Sequence, residues 1–140
     1  MATAIRDVMT PDPVTVGPHD SAADAARSMR EVDSGAILVC EDGHLRGLLT
    51  DRDIVVRAIA EGRDPARVEV GEICSADVGT LRPDDDVDRA VQLMRDRHVR
   101  RIPVVDDDEH PVGIVSIGDL ALARDERSAL ADISGAPANQ

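Results

Sequence analysis

Residues 5–40 fall on residues 70–105 at a constant offset of 65, and nine of these 36 positions are identical. The identities are Asp12/Asp77, Thr15/Thr80, Pro18/Pro83, Asp20/Asp85, Ala25/Ala90, Met29/Met94, Arg30/Arg95, Ile37/Ile102 and Val39/Val104. One extra residue in "DDDEHP" then moves the offset to 66. Beyond it Gly47, Thr50 and Asp53 of "GLLTDRD" fall on Gly113, Ser116 and Asp119 of "GIVSIGD". Turn and apolar positions agree as well, so the chain is a duplication. A copy of about 55 residues buries too little to be comfortable alone, which predicts that the two copies pack face to face.

Within each copy the elements read in one order: strand, helix, strand, strand, helix. "VTV" (14–16) and "GTL" (79–81) are short extended pieces before Pro18 and Pro83. Acidic helix starts follow, Asp20-Ser21 and Asp84-Asp85-Asp86, where carboxylates cap free N–H groups and favour the positive end of the dipole. Ala22, Ala25, Ala26 and Met29 recur at helical spacing, as do Val87, Ala90, Val91 and Met94. The compact runs "AILVC" (36–40) and "IPVV" (102–105) suit buried strands, and "EDGH" and "DDDEHP" make polar turns. A second strand and a helix from near residue 51 or 117 complete each copy. The expected fold is α+β, each copy a three-stranded sheet with two helices on one face. The expected boundaries are 5–62 for copy one, 63–69 for a linker and 70–125 for copy two. A tail at 126–140 is expected to be partly disordered, with Leu130 and Ile133 able to add a helical turn.

Composition removes several function classes. The chain has no Phe, Tyr or Trp, so a flat ligand must lie between aliphatic side chains and backbone. Single-stranded nucleic-acid binding leans on aromatic stacking and is disfavoured. A net charge of −12 repels phosphate polymers and anionic membranes. All sixteen cationic side chains are Arg, which excludes a P-loop lysine and a Schiff-base lysine. Cys40 and Cys74 are too few for a disulfide scaffold and read as small buried hydrophobes. The four histidines lack metal spacing, and Asp106–Glu109 lacks the calcium-loop pattern and reads as a solvated turn. With no signal peptide or spanning run, a cytoplasmic location is expected. No nucleophile–base pair or metal cluster is visible, so the chain is expected not to be an enzyme.

The tandem phrases "DVMT…GAILV…GLLTDRD" and "HVRRIPVVD…VGIVSIGDL" resemble a pair of CBS domains, over roughly residues 5–124. The likeness is to the short stand-alone pairs of actinobacteria and other prokaryotes. It implies repeats packed through their sheets about a pseudo-twofold axis, dimerisation, and clefts between repeats that take adenosine-containing ligands. AMP, ADP, ATP and S-adenosylmethionine are the candidates; no cofactor is required.

Thr50-x-x-Asp53 and Ser116-x-x-Asp119 fit a capping box on their own residues. The resemblance adds another role: the Asp accepts from both ribose hydroxyls, and the Thr or Ser contacts phosphate beside a helix start. The packing it implies would bring Arg100 and Arg101, which precede the copy-two strand, to Thr50 and Asp53. Forked guanidinium contacts with a phosphate follow, and Arg52 strengthens the same side. The opposite cleft, with Ser116 and Asp119, would face Gly35 and Ala36. The expected base contacts are Val14, Thr15, Val16 and Ile37 with Val39 in copy one, and Val78, Thr80, Ile102 and Val104 in copy two. The expected protein is a regulatory homodimer that senses an adenosine ligand and signals to an unidentified partner protein. The rival reading is a ligand-free adaptor whose repeated Asp only caps a helix.

Overall fold

Burial follows the helical spacing. The computed structural model describes residues 3–124, so the tail expected at 126–140 and its Leu130 and Ile133 lie outside the described residues. Helix α1 (Ala22–Val32) buries Ala22, Ala25 and Met29, and α4 (Val87–Arg97) buries Val87, Ala90 and Met94. The fourth expected position differs: Ala26 is exposed and Val91 only half-buried, because the buried stripe is narrower than the sequence pattern. Each helix starts from a residue with extended backbone. The Ser21 hydroxyl accepts the Asp24 N–H and the Asp86 carboxylate accepts the Asp88 N–H. The repeated acid before them folds the preceding turn instead. Asp20 accepts the Gly17 N–H and Asp85 accepts the Arg82 N–H, each at 2.8 Å.

The described chain separates into two units, residues 13–78 and residues 3–12 with 79–124. In the first, β2 (Thr15–Val16), β3 (Ala36–Glu41) and β4 (His44–Thr50) form a mixed sheet. Strand β2 runs parallel to β3, and β3 runs antiparallel to β4. The hairpin between them closes on Asp42 and Gly43, at φ 55° and 81°. Two successive positive φ values suit the twist of a tight antiparallel turn. Ala36 through Val39 are all buried, which is why this strand reads as a continuous apolar run. Ile37, Val39 and Leu49 pack with the α1 stripe, Ile54, Ala58 and Val70 in one core.

In the second unit, β5 (Arg101–Val105) and β6 (Pro111–Ser116) form the matching hairpin, and β1 (Thr10–Pro11) lies antiparallel to β6. Helix α5 (Ile117–Arg124) follows β6 directly. The expected strand at 79–81 reduces to one parallel bridge, Leu81 to Val104. The cause is Pro103. In copy one Leu38 N–H donates to Val14 at 3.1 Å; Pro103 stands at the equivalent place and has no N–H to give.

The sequence copies and the spatial units are not the same segments. Ile5, with Val8 and Met9, packs in the core with Leu81, Met94 and Ile102. Its amide donates to Asp85 O at 2.8 Å, and Arg6 N–H donates to Pro83 O at 3.0 Å. The equivalent residues of copy two do the same to copy one. Val70 N–H donates to Asp20 O at 2.8 Å and Gly71 N–H to Pro18 O at 2.7 Å. Each copy therefore gives its leading segment to the other's sheet, residues 5–11 in one direction and 70–75 in the other. The linker expected at 63–69 is part of the fold, because Val68 is buried in the first core and its carbonyl accepts the Ala22 N–H.

Candidate functional site

Every marked position of the repeated phrase has a structural role. A Cβ on Gly47 would sit 2.6 Å from Ser75 O, and one on Gly113 would sit 3.0 Å from Thr10 O. The glycines are there because the exchanged segment lies against the strand at that point. Leu48 N–H donates to Ser75 O at 3.0 Å and Ser75 N–H returns the bond at 2.9 Å.

Three residues on, β4 ends at Thr50, and helix α2 (Asp51–Ile54) begins. Thr50 Oγ1 accepts the Asp53 N–H at 3.1 Å, while Asp53 Oδ2 accepts the Thr50 N–H at 3.0 Å. Ser116 and Asp119 repeat the box at 3.2 Å and 2.8 Å. The capping reading of the sequence is thus realised in both copies. It occupies one carboxylate oxygen of each Asp. The other oxygen of Asp53, Oδ1, stands 3.9 Å from Arg57 Nε. The first amides of α2 are also engaged: Asp51 N–H donates to Gly35 O and Arg52 N–H to Asp51 Oδ1. An anion at this helix start must compete with bonds already made.

Arg57 escaped the sequence reading, although its signal was present as an Asp-x-x-x-Arg pair at helical spacing. It sits in a π-helical stretch (Val55–Ile59) that continues α2, with Ala60 N–H bonded to Val55 O at 2.8 Å. Such wide turns recur at functional sites. Arg57 Nη1 also donates to Ile73 O at 3.0 Å, at the end of helix α3 (Val70–Ile73). Ala123 stands at the equivalent place in copy two.

Among the other expected residues, Ile37, Ile102 and Val104 lie in the hydrophobic cores, at most 1% exposed. Their role in the fold is packing. Val14 and Val16 are half-buried and Thr15 exposed, while Val78 and Thr80 are half-buried. Arg52 and Arg100 are exposed and Arg101 is half-buried. Within its own unit Arg101 is the register partner of Ser116, and Arg100 O accepts the Ile117 N–H at 2.9 Å. Burial pushes both thiols up from their ordinary range. For Cys74 the nearby Asp53 carboxylate adds to this and the Arg57 guanidinium opposes it.

Asp106, Asp108 and His110 bring one ligand atom each within 4.8 Å of one another. Hydrogen bonding inside the turn accounts for this. Asp106 Oδ1 accepts the N–H groups of Asp108 and His110, each at 2.9 Å, and these hold its carboxyl below the usual range, His110 foremost. Arg82 spans the same turn, reaching Asp107 at 3.1 Å and Glu109 at 3.3 Å. An apolar cavity of about 370 Å³ lies elsewhere in that unit, where Val91, Met94 and Val99 face Ile117 and Leu120.

The duplicated sheet-and-helix unit, the exchanged segments and the paired capping motifs define a tandem pair of like α+β units. The family model of the CBS domain matches residues 5–59 and again 70–126. The chain belongs to the CBS-domain family. It is 41% identical over 120 residues to the CBS domain-containing protein YhcV of Bacillus subtilis, covering 86% of this chain and 84% of that protein. It is 38% identical over 121 residues to Hypoxic response protein 1 of Mycobacterium tuberculosis, covering 85% and 83%. The solved structure of Hypoxic Response Protein I with two coordinated zinc ions matches at TM-score 0.77 and 37% identity, covering 85% of this chain and 97% of that one. The CBS domain pair of protein MJ0100, solved with 5-methylthioadenosine and S-adenosyl-L-methionine, matches at TM-score 0.82 and 26% identity, covering 91% and 100%. Membership places the chain among binding and regulatory modules. Among the described residues no helix is long and apolar enough to cross a membrane.

Proposed function

We propose that this protein is a regulatory CBS-pair module that binds an adenosine-containing ligand and passes its occupancy to a partner protein. The candidates remain AMP, ADP, ATP and S-adenosylmethionine. One observation carries the proposal: Asp53 is 14% exposed, and only one of its oxygens is used by the capping box. A short carboxylate in that state suits a pair of vicinal ribose hydroxyls. The relative solved with S-adenosyl-L-methionine and 5-methylthioadenosine supports the ligand class.

In this reading Thr50 lies beside the phosphate or its equivalent, and Arg52, Arg100 and Arg101 supply positive charge. Val14, Thr15 and Val16 offer aliphatic and backbone contacts to the base. Ser116, Asp119, Val78 and Thr80 form the weaker counterpart. Differential affinity for two states of the module or its homodimer would let a partner read the ligand. A thermal-shift scan with AMP, ADP, ATP and S-adenosylmethionine, paired with native mass measurement, tests it. The proposal expects at least one to raise the melting temperature and add its mass to the protein. No response to any at millimolar concentration refutes it and leaves the adaptor reading, in which both Asp residues are caps.

A further inference from the structure

We propose that Arg57 is a positioning residue that holds Asp53 ready for its ligand, which makes the copy-one motif the competent one. The inference rests on the adenosine-binding reading and adds a residue to it. Two groups face the Asp53 carboxylate: Thr50 N–H donates to Oδ2 at 3.0 Å, and the Arg57 guanidinium lies within ion-pair distance of Oδ1, its Nε at 3.9 Å. Arg57 is itself anchored, because its Nη1 donates to Ile73 O at 3.0 Å. That anchor lies in the exchanged 70–75 segment, so the carboxylate is referenced to two separate stretches of chain. A carboxylate fixed in this way loses less freedom when it captures two hydroxyls.

Copy two has the same box, but among the described residues no arginine stands at the place of Arg57. Asp119 accepts the Ser116 N–H at 2.8 Å, and the position equivalent to Arg57 is Ala123. The two motifs are therefore alike in sequence and unlike in preparation.

Calorimetric titration of the whole chain with AMP and with adenosine tests the proposal. Arg57→Ala is expected to weaken both by the same factor, on the order of tenfold, because a positioning residue acts through Asp53 whatever the ligand carries. Weakening of AMP alone would make Arg57 a phosphate contact and overturn the proposal. Unchanged binding in Arg57→Ala, with Asp53→Ala abolishing it, would overturn it equally. If the wild-type chain binds neither probe, the functional reading fails, and Cys74 still reports on the positioning. Its thiol feels Asp53 and Arg57 in opposite senses. Alkylation of Cys74 by iodoacetamide at fixed pH, read by peptide mass, should slow in Arg57→Ala and quicken in Asp53→Ala. A wild-type rate in both variants would show that neither charge lies beside the Cys74 thiol, against the arrangement of Asp53 and Arg57 that the proposal uses.

Discussion

Replacing Gly47 by alanine tests the segment exchange. The new Cβ would lie 2.6 Å from Ser75 O, 3.1 Å from Cys74 Sγ and 3.3 Å from Ser75 C. The nearest atom is backbone, so a rotamer change cannot relieve the contact. The 74–75 segment must move by several tenths of an ångström, stretching the pair of bonds between Leu48 and Ser75, now 3.0 and 2.9 Å. Overpacking of this kind costs about 1–3 kcal/mol, and weakening of the two bonds acts in the same direction. That corresponds to a fall of several degrees in melting temperature for a domain of this size. Gly17→Ala is the control, since its nearest neighbour, Asp20 Oδ2, would be at 3.6 Å, ordinary contact. Urea denaturation gives the stability change, and hydrogen exchange locates it. Amide protection should fall at Leu48 and Ser75 in Gly47→Ala and stay unchanged in Gly17→Ala. A Gly47→Ala protein with wild-type midpoint and wild-type protection would refute the close approach, and with it the reason for the glycine.

Three further outcomes are expected. His19 is held above its ordinary range, first by its 2.7 Å hydrogen bond to Glu69 and then by the charges of Glu69 and Glu41. A raised folded-state pKa means its contribution is fully present below about 6.5, the unfolded value, and fades as pH rises through the folded one. The stability gap between wild type and His19→Gln should therefore be largest near pH 5.5 and close by pH 8.5; a gap that does not change with pH contradicts this. His98 ends α4 with φ 56°, and glycine there should stabilise the fold by about 0.5–1 kcal/mol in denaturant melts. Met29→Ala should cost about 2–5 kcal/mol, because Met29 is 6% exposed in the first core, whereas Ala26→Ser on the exposed face should move the midpoint little.

The duplication, the amphipathic helices and the hairpins were legible because each rests on local chemistry: helical spacing, short apolar runs and turn residues. The capping boxes were legible for the same reason. The exchange of leading segments was not. Ile5 and Val70 are equivalent apolar residues, and nothing local says which sheet either one joins. Gly47 and Gly113 were visible in the repeated phrase, but their purpose depends on a strand that arrives from elsewhere in the chain. Pro103 could have told against a full strand at 79–81, since a proline in a central strand leaves its neighbour without a donor. Arg57 was overlooked because an i,i+4 acid–base pair on a helix is ordinarily a surface feature. The structure sets it apart through the second bond to Ile73 O.

The most direct test of the account is equilibrium titration of AMP into the wild-type chain, Asp53→Ala and Asp119→Ala. The account predicts saturable binding to the wild type, loss of it in Asp53→Ala, and retention of most of it in Asp119→Ala. Equal affinity in all three proteins would contradict it, because the Asp53 carboxylate would then have no part in holding the ligand.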